Sequence, residues 1–276
     1  MLRKNSPIVL LILFVFAGYA TIASNALKER ALELFNQRQD KAKLEESIKV
    51  MEEILSNEKD YEMAVLLSRA YYVLAEHADN NPQRLEIYDK GVKAGELALN
   101  LVPQYAASFT SSKKEEDAVK SVTKEHIDAV YWTAANLARW AKFTSFTKKV
   151  SSKSRVKYLW DKVAELEPTY FYGGSYRFYG GYFALVPTIT GEQDPHKAKE
   201  NFDKAIAAAP EYLETKVLMA EAYCTHQKIK DRELFKKLIN EVMSADLSAY
   251  PAIYAENLIA QGKAKKLLEE EKELFD

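Results

Sequence analysis

Two stretches of this chain carry side chains suited to recognising a small molecule. In the run from Ala129 to Ala141, Trp132, Asn136 and Trp140 recur at i, i+4 and i+8, which puts them on one face of a helix. Tyr131 and Ala135 border that face. Two indoles flanking an amide make an apolar wall with one polar point. If buried, the amide must find hydrogen-bond partners, either in a neighbouring backbone or in a ligand. Ordinary helix packing also places tryptophan at such positions, so core and cavity-wall readings both stand for Trp132. The second stretch runs from Pro168 to Phe183. Eight of the fourteen residues from Tyr170 to Phe183 are aromatic, and four of the chain's nine glycines fall there. Gly173-Gly174 can break and restart a helix, and Gly180-Gly181 permit close approach of a backbone or ligand. Arg177 is the only charge in the stretch. Its planar fork of donors suits a ligand carboxylate, or else an internal salt bridge to a core Asp or Glu.

Tyr131, Trp132, Asn136, Trp140, Arg177 and Tyr182 are therefore the candidate ligand site. Aromatic walls with a few convergent polar groups fit a small, partly apolar acid. A third feature is basic: Lys142, Lys148, Lys149, Lys153, Arg155 and Lys157 occur with no acid among them. That stretch is either a solvated connector or a contact for an acidic partner or an anionic membrane surface.

Other chemistries find no support. His77, His126, His196 and His226 are scattered, with no HExxH and no Cys/His pair at metal-ligand spacing, so no metal is assigned. The glycines at 173–181 are followed by no GK[ST] and preceded by no strand, which argues against a phosphate loop. No nucleophile–base pair can be read, no cofactor is implied, and the expectation is binding without catalysis. The single cysteine, Cys224, lies in an apolar helical run and is expected to be a buried, inert thiol.

The elements that must position these residues are helices. Apolar residues recur at helical spacing in Ile48-Met51-Ile54-Leu55, Leu66-Ala70-Val73-Leu74 and Leu234-Leu238-Ile239-Val242, and no strand alternation bounded by hairpin turns occurs. The helices come in similar pairs. Gly91-x3-Gly95-x2-Ala98-x4-Pro103, Val156-x3-Trp160-x2-Val163-x4-Pro168 and Ala198-x3-Phe202-x2-Ala205-x4-Pro210 share one set of offsets. Leu67-Ser68-x-Ala70-Tyr71 likewise matches Met219-Ala220-x-Ala222-Tyr223. Small and large residues ending at a helix-stopping proline form the tetratricopeptide pattern. The expected fold is all-α: a solenoid of about five degenerate tetratricopeptide-like helix pairs, with a C-terminal helix near Pro251 to Leu274. Irregular connectors are expected at Pro103 to Ser121 and at Thr144 to Ser154.

Composition agrees. The chain has 276 residues, 47% of them apolar, with 39 Lys+Arg against 40 Asp+Glu. This balance gives no reason to expect nucleic acid as a partner. Arg3 and Lys4 precede an uncharged run from Pro7 to Ala23, followed by small residues to Ala26. Residues 1–26 thus have the layout of an export signal cleaved after Ala23 or Ala26, or of an uncleaved anchor. No cysteine closes the run, so no lipid attachment is expected there. Residues 27–276, with no linker dividing them, are expected to form one domain, exported to a periplasm. Open solenoid ends favour a homo-oligomer.

Several motifs together resemble a known family. They are Tyr131-Trp132-x2-Ala135-Asn136-Leu137-x2-Trp140-Ala141 and Gly173-Gly174-x2-Arg177-x2-Gly180, then Ala222-Tyr223 with Asp231-Arg232-x-Leu234-Phe235, and finally Leu258-x-Ala260-x3-Ala264-x2-Leu267-Leu268 with Phe275. In these the chain is similar to the TatT components of TRAP (tripartite ATP-independent periplasmic) transporters, over about Tyr61 to Phe275. The resemblance implies an α-solenoid that forms periplasmic trimers, with a ligand-sized cavity in each protomer. It also implies association with the extracytoplasmic solute-binding protein of the transporter. The alternative is an envelope scaffold that grips protein partners and holds no small molecule.

Overall fold

The computed structural model describes residues 24–276; the expected export signal lies almost wholly outside them. Among the described residues there are helices and turns and no strand. Helix α1 spans 24–36, and α2 (Lys41–Asn57), α3 (Tyr61–Glu76) and α4 (Asn81–Leu101) follow. Their starts are set locally. The Asp40, Asp60 and Asn80 side chains accept hydrogen bonds from free amides in the first turns of α2, α3 and α4. Next come α5 (Pro103–Ser112), α6 (Glu115–Lys120), α7 (Ile127–Phe143), α8 (Phe146–Leu166), α9 (Tyr170–Leu185) and α10 (Pro195–Ala208). Helix α11 (Glu214–Met219) runs on into a π-helical turn at Ala220–Cys224. Then α12 (Arg232–Met243), α13 (Tyr254–Glu269) and α14 (Glu271–Phe275) complete the chain.

The helices pack as antiparallel hairpins, α3 with α4, α7 with α8 and α9 with α10, stacked into an all-α solenoid. The aligned prolines do equivalent work. Pro103, Pro168 and Pro210 each stand two residues beyond the last residue of the second helix of a hairpin, after Leu101, Leu166 and Ala208. The small residues of the motif mark close crossings. A Cβ at Gly91 would overlap the Asn136 amide, and one at Gly95 would overlap the Thr133 hydroxyl. Phe202 is fully buried beneath Gly180, where a Cβ would come 2.7 Å from its ring. Cys224 is buried and unpaired, and burial pushes its thiol up to about 12.

Two expectations need correction. The segment after Pro103 is not irregular, because α5 and α6 occupy it. Nor is Thr144 to Ser154 a connector: only Thr144 and Ser145 separate α7 from α8. The serine- and lysine-rich turns of α8 look polar in sequence because they lie at the surface; Lys153 within them pairs with Glu192, and the next turn of the helix is tied to other helices. Arg155 pairs with Glu96 at 2.5 Å and Glu115 at 2.6 Å, and Lys157 with Asp161 at 2.8 Å.

The far end of the chain returns to the near end. Glu256 on α13 is buried between Arg38 (2.8 Å) and Arg69 (2.7 Å). Asn257 accepts from the Leu213 amide at 3.1 Å and donates to the Glu211 carbonyl at 3.0 Å. Deeper in, Glu76 on α3 meets Arg139 on α7 at 3.3 Å and Lys263 on α13 at 2.6 Å. Glu214 on α11 meets the same two cations, with Lys263 at 2.9 Å. Burial alone would raise the Glu76 carboxyl, but Arg139 and Lys263 outweigh it and hold it below the ordinary carboxylate range. For Glu214, Lys263 and Arg139 outweigh burial in the same way.

A carboxyl whose folded pKa is depressed adds stability above its unfolded value, and that stability is lost as pH falls through the folded one. Urea unfolding followed by circular dichroism is therefore expected to show a slight loss from neutrality to about pH 5, where burial opposes protonation of His77 and His226, and to weaken steeply below about pH 4. Glu76→Gln is expected to cost about 3 kcal/mol at neutral pH and to make the acid limb shallower. An unchanged acid limb would show that the ring is not what titrates.

Candidate functional site

Three helices present matching stripes to one cavity. On α7 the stripe is Tyr131, Ala135, Ala138 and Lys142; on α8 it is Lys149, Lys153, Val156 and Trp160; on α9 it is Gly174, Phe178, Gly181 and Leu185. Each runs i, i+4, i+7, i+11, the spacing of one helix face. Tyr72 of α3 and Glu214 and Leu218 of α11 complete the walls, and Val186, Pro187 and Thr190 lie beyond the end of α9. The enclosed volume is about 380 Å³. The space exists because the facing positions are small: Ala135 and Ala138 on α7, Gly174 and Gly181 on α9. A Cβ at Gly174 would overlap the Tyr131 ring, and one at Gly181 would stand 3.3 Å from Leu218.

The walls are aromatic. Trp160 stacks on Phe178 with centroids 4.6 Å apart, and it lies nearly perpendicular to the Tyr131 ring with centroids 5.3 Å apart. The indole N–H of Trp160 finds no acceptor among the described residues. Charge at the cavity is mostly positive and mostly spoken for. Arg139 belongs to the buried ring with Glu76 and Glu214, Lys142 pairs with Glu221 at 2.6 Å, and Lys153 pairs with Glu192 at 2.5 Å. Burial pulls the Lys142 ammonium below the usual lysine range in spite of Glu221.

Lys149, at the mouth, and Arg177, deep in the wall, are the exceptions, and of the two only Arg177 is buried. It is only 8% exposed, yet no Asp or Glu among the described residues lies within ion-pairing distance. Its guanidinium donates to the Tyr131 hydroxyl at 2.9 Å and to the carbonyls of Tyr172 at 2.8 Å and Phe171 at 3.4 Å. It lies over the Tyr212 ring at 4.4 Å. Burial pushes the Tyr131 hydroxyl up to about 12, so it faces Arg177 as a neutral group. The guanidinium is held by neutral oxygens and a ring, with no carboxylate in direct contact and Glu214 acting on it only from a distance.

Of the candidate residues, the structure brings Tyr131, Arg177 and Tyr182 to the cavity wall. The other three lie away from it. Trp132 packs against Phe171 at 4.7 Å and Tyr72 at 5.6 Å, inside the core. The Asn136 amide nitrogen donates to the Ser68 carbonyl at 3.0 Å and the Trp132 carbonyl at 2.9 Å, beneath Gly91. A neighbouring backbone supplies its partners. Trp140 is half-buried at the edge of the core, with Lys148 over its ring at 6.0 Å. The face spaced from Trp132 thus turns toward α3 and α4, while the adjacent face spaced from Tyr131 turns to the cavity. Trp160, Phe178 and Leu218 also line the cavity, and the sequence does not single them out as such. The alanine stripe on α7 was the available signal, because a helix interface normally fills such positions.

The helical break in α9 also falls earlier than the glycine pair suggests. Phe171, Tyr172 and Gly173 are all left-handed, with φ of 45°, 59° and 71°, and the helix restarts at Gly174.

The class of protein is therefore an all-α solenoid of helical hairpins enclosing an aromatic-walled cavity. The family follows from the sequence as a whole. A family model described as the TRAP transporter T-component matches residues 47–275, and the chain belongs to that family. Comparison with curated proteins finds no match.

The glycines that shape the cavity predict a contrast in stability. Gly174→Ala forces a methyl group into the Tyr131 ring and is expected to cost about 1–3 kcal/mol. Gly262→Ala on α13, where a Cβ meets nothing within 4 Å, is expected to gain about 0.5–1 kcal/mol from helix propensity. Urea midpoints of the two variants check the pair.

Proposed function

We propose that this protein is a periplasmic accessory of a TRAP-type uptake system that holds a small, partly apolar acid in the cavity between α7, α8 and α9. The observation that carries this reading is Arg177, a buried cation without an acidic partner, at the wall of an aromatic space of about 380 Å³. That volume falls in the range of small-molecule sites, which combine apolar walls with few polar anchors. The carboxylate would take the place that a core acid leaves empty, and the rings of Trp160, Phe178 and Tyr72 would flank the apolar body. Tyr182 closes one side, with its hydroxyl donated to Glu192.

The same reading takes residues 27–276 as one unit of tetratricopeptide-like pairs. The return of α13 onto α3 and α11 supports it. The proposed protein partner is the extracytoplasmic solute-binding protein of the transporter, with the accessory protein assembled as a trimer. The family's description as a TRAP transporter component supports work alongside that transporter, and the particular partner and the trimer rest on the resemblance. A scaffold role without ligand is the competing reading, and the burial of Trp132 and Asn136 in the helix interface favours it over a larger cavity.

Calorimetry separates the two. Aromatic and branched aliphatic monocarboxylates are expected to bind, and their uncharged amides to bind more weakly. Arg177→Met is expected to weaken the acids by roughly tenfold to a hundredfold, the loss of a charge-assisted bond, with little effect on the amides. Ala138→Trp, which fills the cavity, is expected to abolish both while leaving the helical spectrum intact. Acids that bind Ala138→Trp as tightly as the parent chain would refute the site. Pull-down from a periplasmic extract tests the partner: recovery of envelope-assembly factors without a solute-binding protein would favour the scaffold.

A further inference from the structure

The mouth of the cavity has a rim that the ligand reading does not use. At the start of α8, Phe146 is 61% exposed and Val150 44%. Across the opening, Leu185 at the end of α9 is 48% exposed and Ile189 on the following turn 84%. Val150 and Leu185 both line the cavity, so the two segments border one opening. Glu192 ties them together, pairing with Lys153 of α8 and accepting from Tyr182 of α9. Lys149 lies beside the apolar side chains on the α8 side, and Lys148 lies round the same first turn over the Trp140 ring; neither has a carboxylate partner among the described residues. The other cations of this basic stretch are neutralised by Glu96, Glu115, Glu192, Glu221 and Asp161. The surface that remains is bulky, apolar and positive.

We propose that this rim is a membrane-contact surface that seats the cavity mouth on anionic lipid headgroups. Its charge complements a negative surface, and its aromatic and aliphatic tips suit shallow insertion below the headgroups. Its size argues against a protein occupant. The exposed parts of four side chains amount to on the order of a few hundred Å², while a stable protein interface takes about 800 Å² from each partner. Membrane association needs less, because each lysine near an anionic surface adds roughly fivefold to partition and the inserted tips add to that. Neither Phe146 nor Ile189 is needed for the core, so their exposure is not forced by folding. The surface does not depend on what the cavity holds, and it can be correct even where the ligand assignment fails.

An environment-sensitive fluorophore at position 189, introduced through Ile189→Cys in the full chain, tests this. Cys224 is buried with its thiol pushed up to about 12, so labelling goes to the new site. The label reports its own surroundings, so an N-terminal anchor shared by all variants does not mimic the signal. Phosphatidylcholine vesicles containing phosphatidylglycerol are expected to shift its emission to the blue, and vesicles of phosphatidylcholine alone to shift it far less. Lys148→Gln with Lys149→Gln is expected to raise the lipid concentration at half-signal roughly twentyfold. A label introduced through Glu200→Cys on α10 is expected to stay in water throughout. No blue shift at 189, or one equally strong without anionic lipid and insensitive to the lysines, would overturn the proposal. A shift that grows with protein concentration in the absence of vesicles would assign the rim to a second copy. A shift produced by an acidic soluble protein would assign it to that partner.

Discussion

Glu76, Arg139, Glu214 and Lys263 form a closed, charge-balanced ring that joins α3, α7, α11 and α13. Each of these charges alone would be costly in a low-dielectric interior, and only the complete ring offsets that cost. Its net contribution over an apolar core of similar volume is small, but loss of one member strands the others. The ring therefore ties the register of four helices, distant in sequence, to a single arrangement. Arg139 and Glu214 also lie at the cavity wall, so the contact that closes the solenoid also sets part of the space a ligand would enter. The Glu256 clasp with Arg38 and Arg69 repeats the arrangement nearer the N-terminal end, where it holds α13 against α3.

Much of the fold was legible because it is written in local rules. Helical periodicity, the repeated small and large offsets and the three prolines marked the hairpins, and the aligned prolines do close equivalent helices. The connectors were misjudged for a physical reason. Thr144 to Ser154 is polar and rich in serine, yet from Phe146 it is the first half of a helix whose Lys153 and Arg155 reach Glu192, Glu96 and Glu115 on other segments. Partners that distant leave no periodic trace in the segment itself.

The cavity was half legible. Aromatic density and a lone arginine pointed to α9, and Tyr131, Arg177 and Tyr182 do meet at one cavity. The face of α7 that lines the cavity is offset by one residue from the face the tryptophans mark. Trp132, Asn136 and Trp140 looked like recognition groups because they are large and polar, but such residues also fill tight helix crossings, as Asn136 does beneath Gly91. The informative residues were the small ones. Ala135 and Ala138 mark where α7 declines to fill space, and an absence of bulk becomes visible only once the facing helices are known.

Arg177 connects the cavity to the least relaxed part of the backbone. Phe171 and Tyr172 hold left-handed conformations that cost bulky residues on the order of 1–2 kcal/mol each. Arg177 donates to the carbonyls of both, and their rings pack together with Tyr212, over which the guanidinium lies. The arginine thus stabilises the turn with the same donors that would meet an anion. A carboxylate arriving at Arg177 would draw on hydrogen bonds that now hold Phe171 and Tyr172, and binding and the conformation of this turn would be coupled through one side chain. The unpaired charge and the left-handed turn are two parts of a single local arrangement, and neither is explained by helix packing alone.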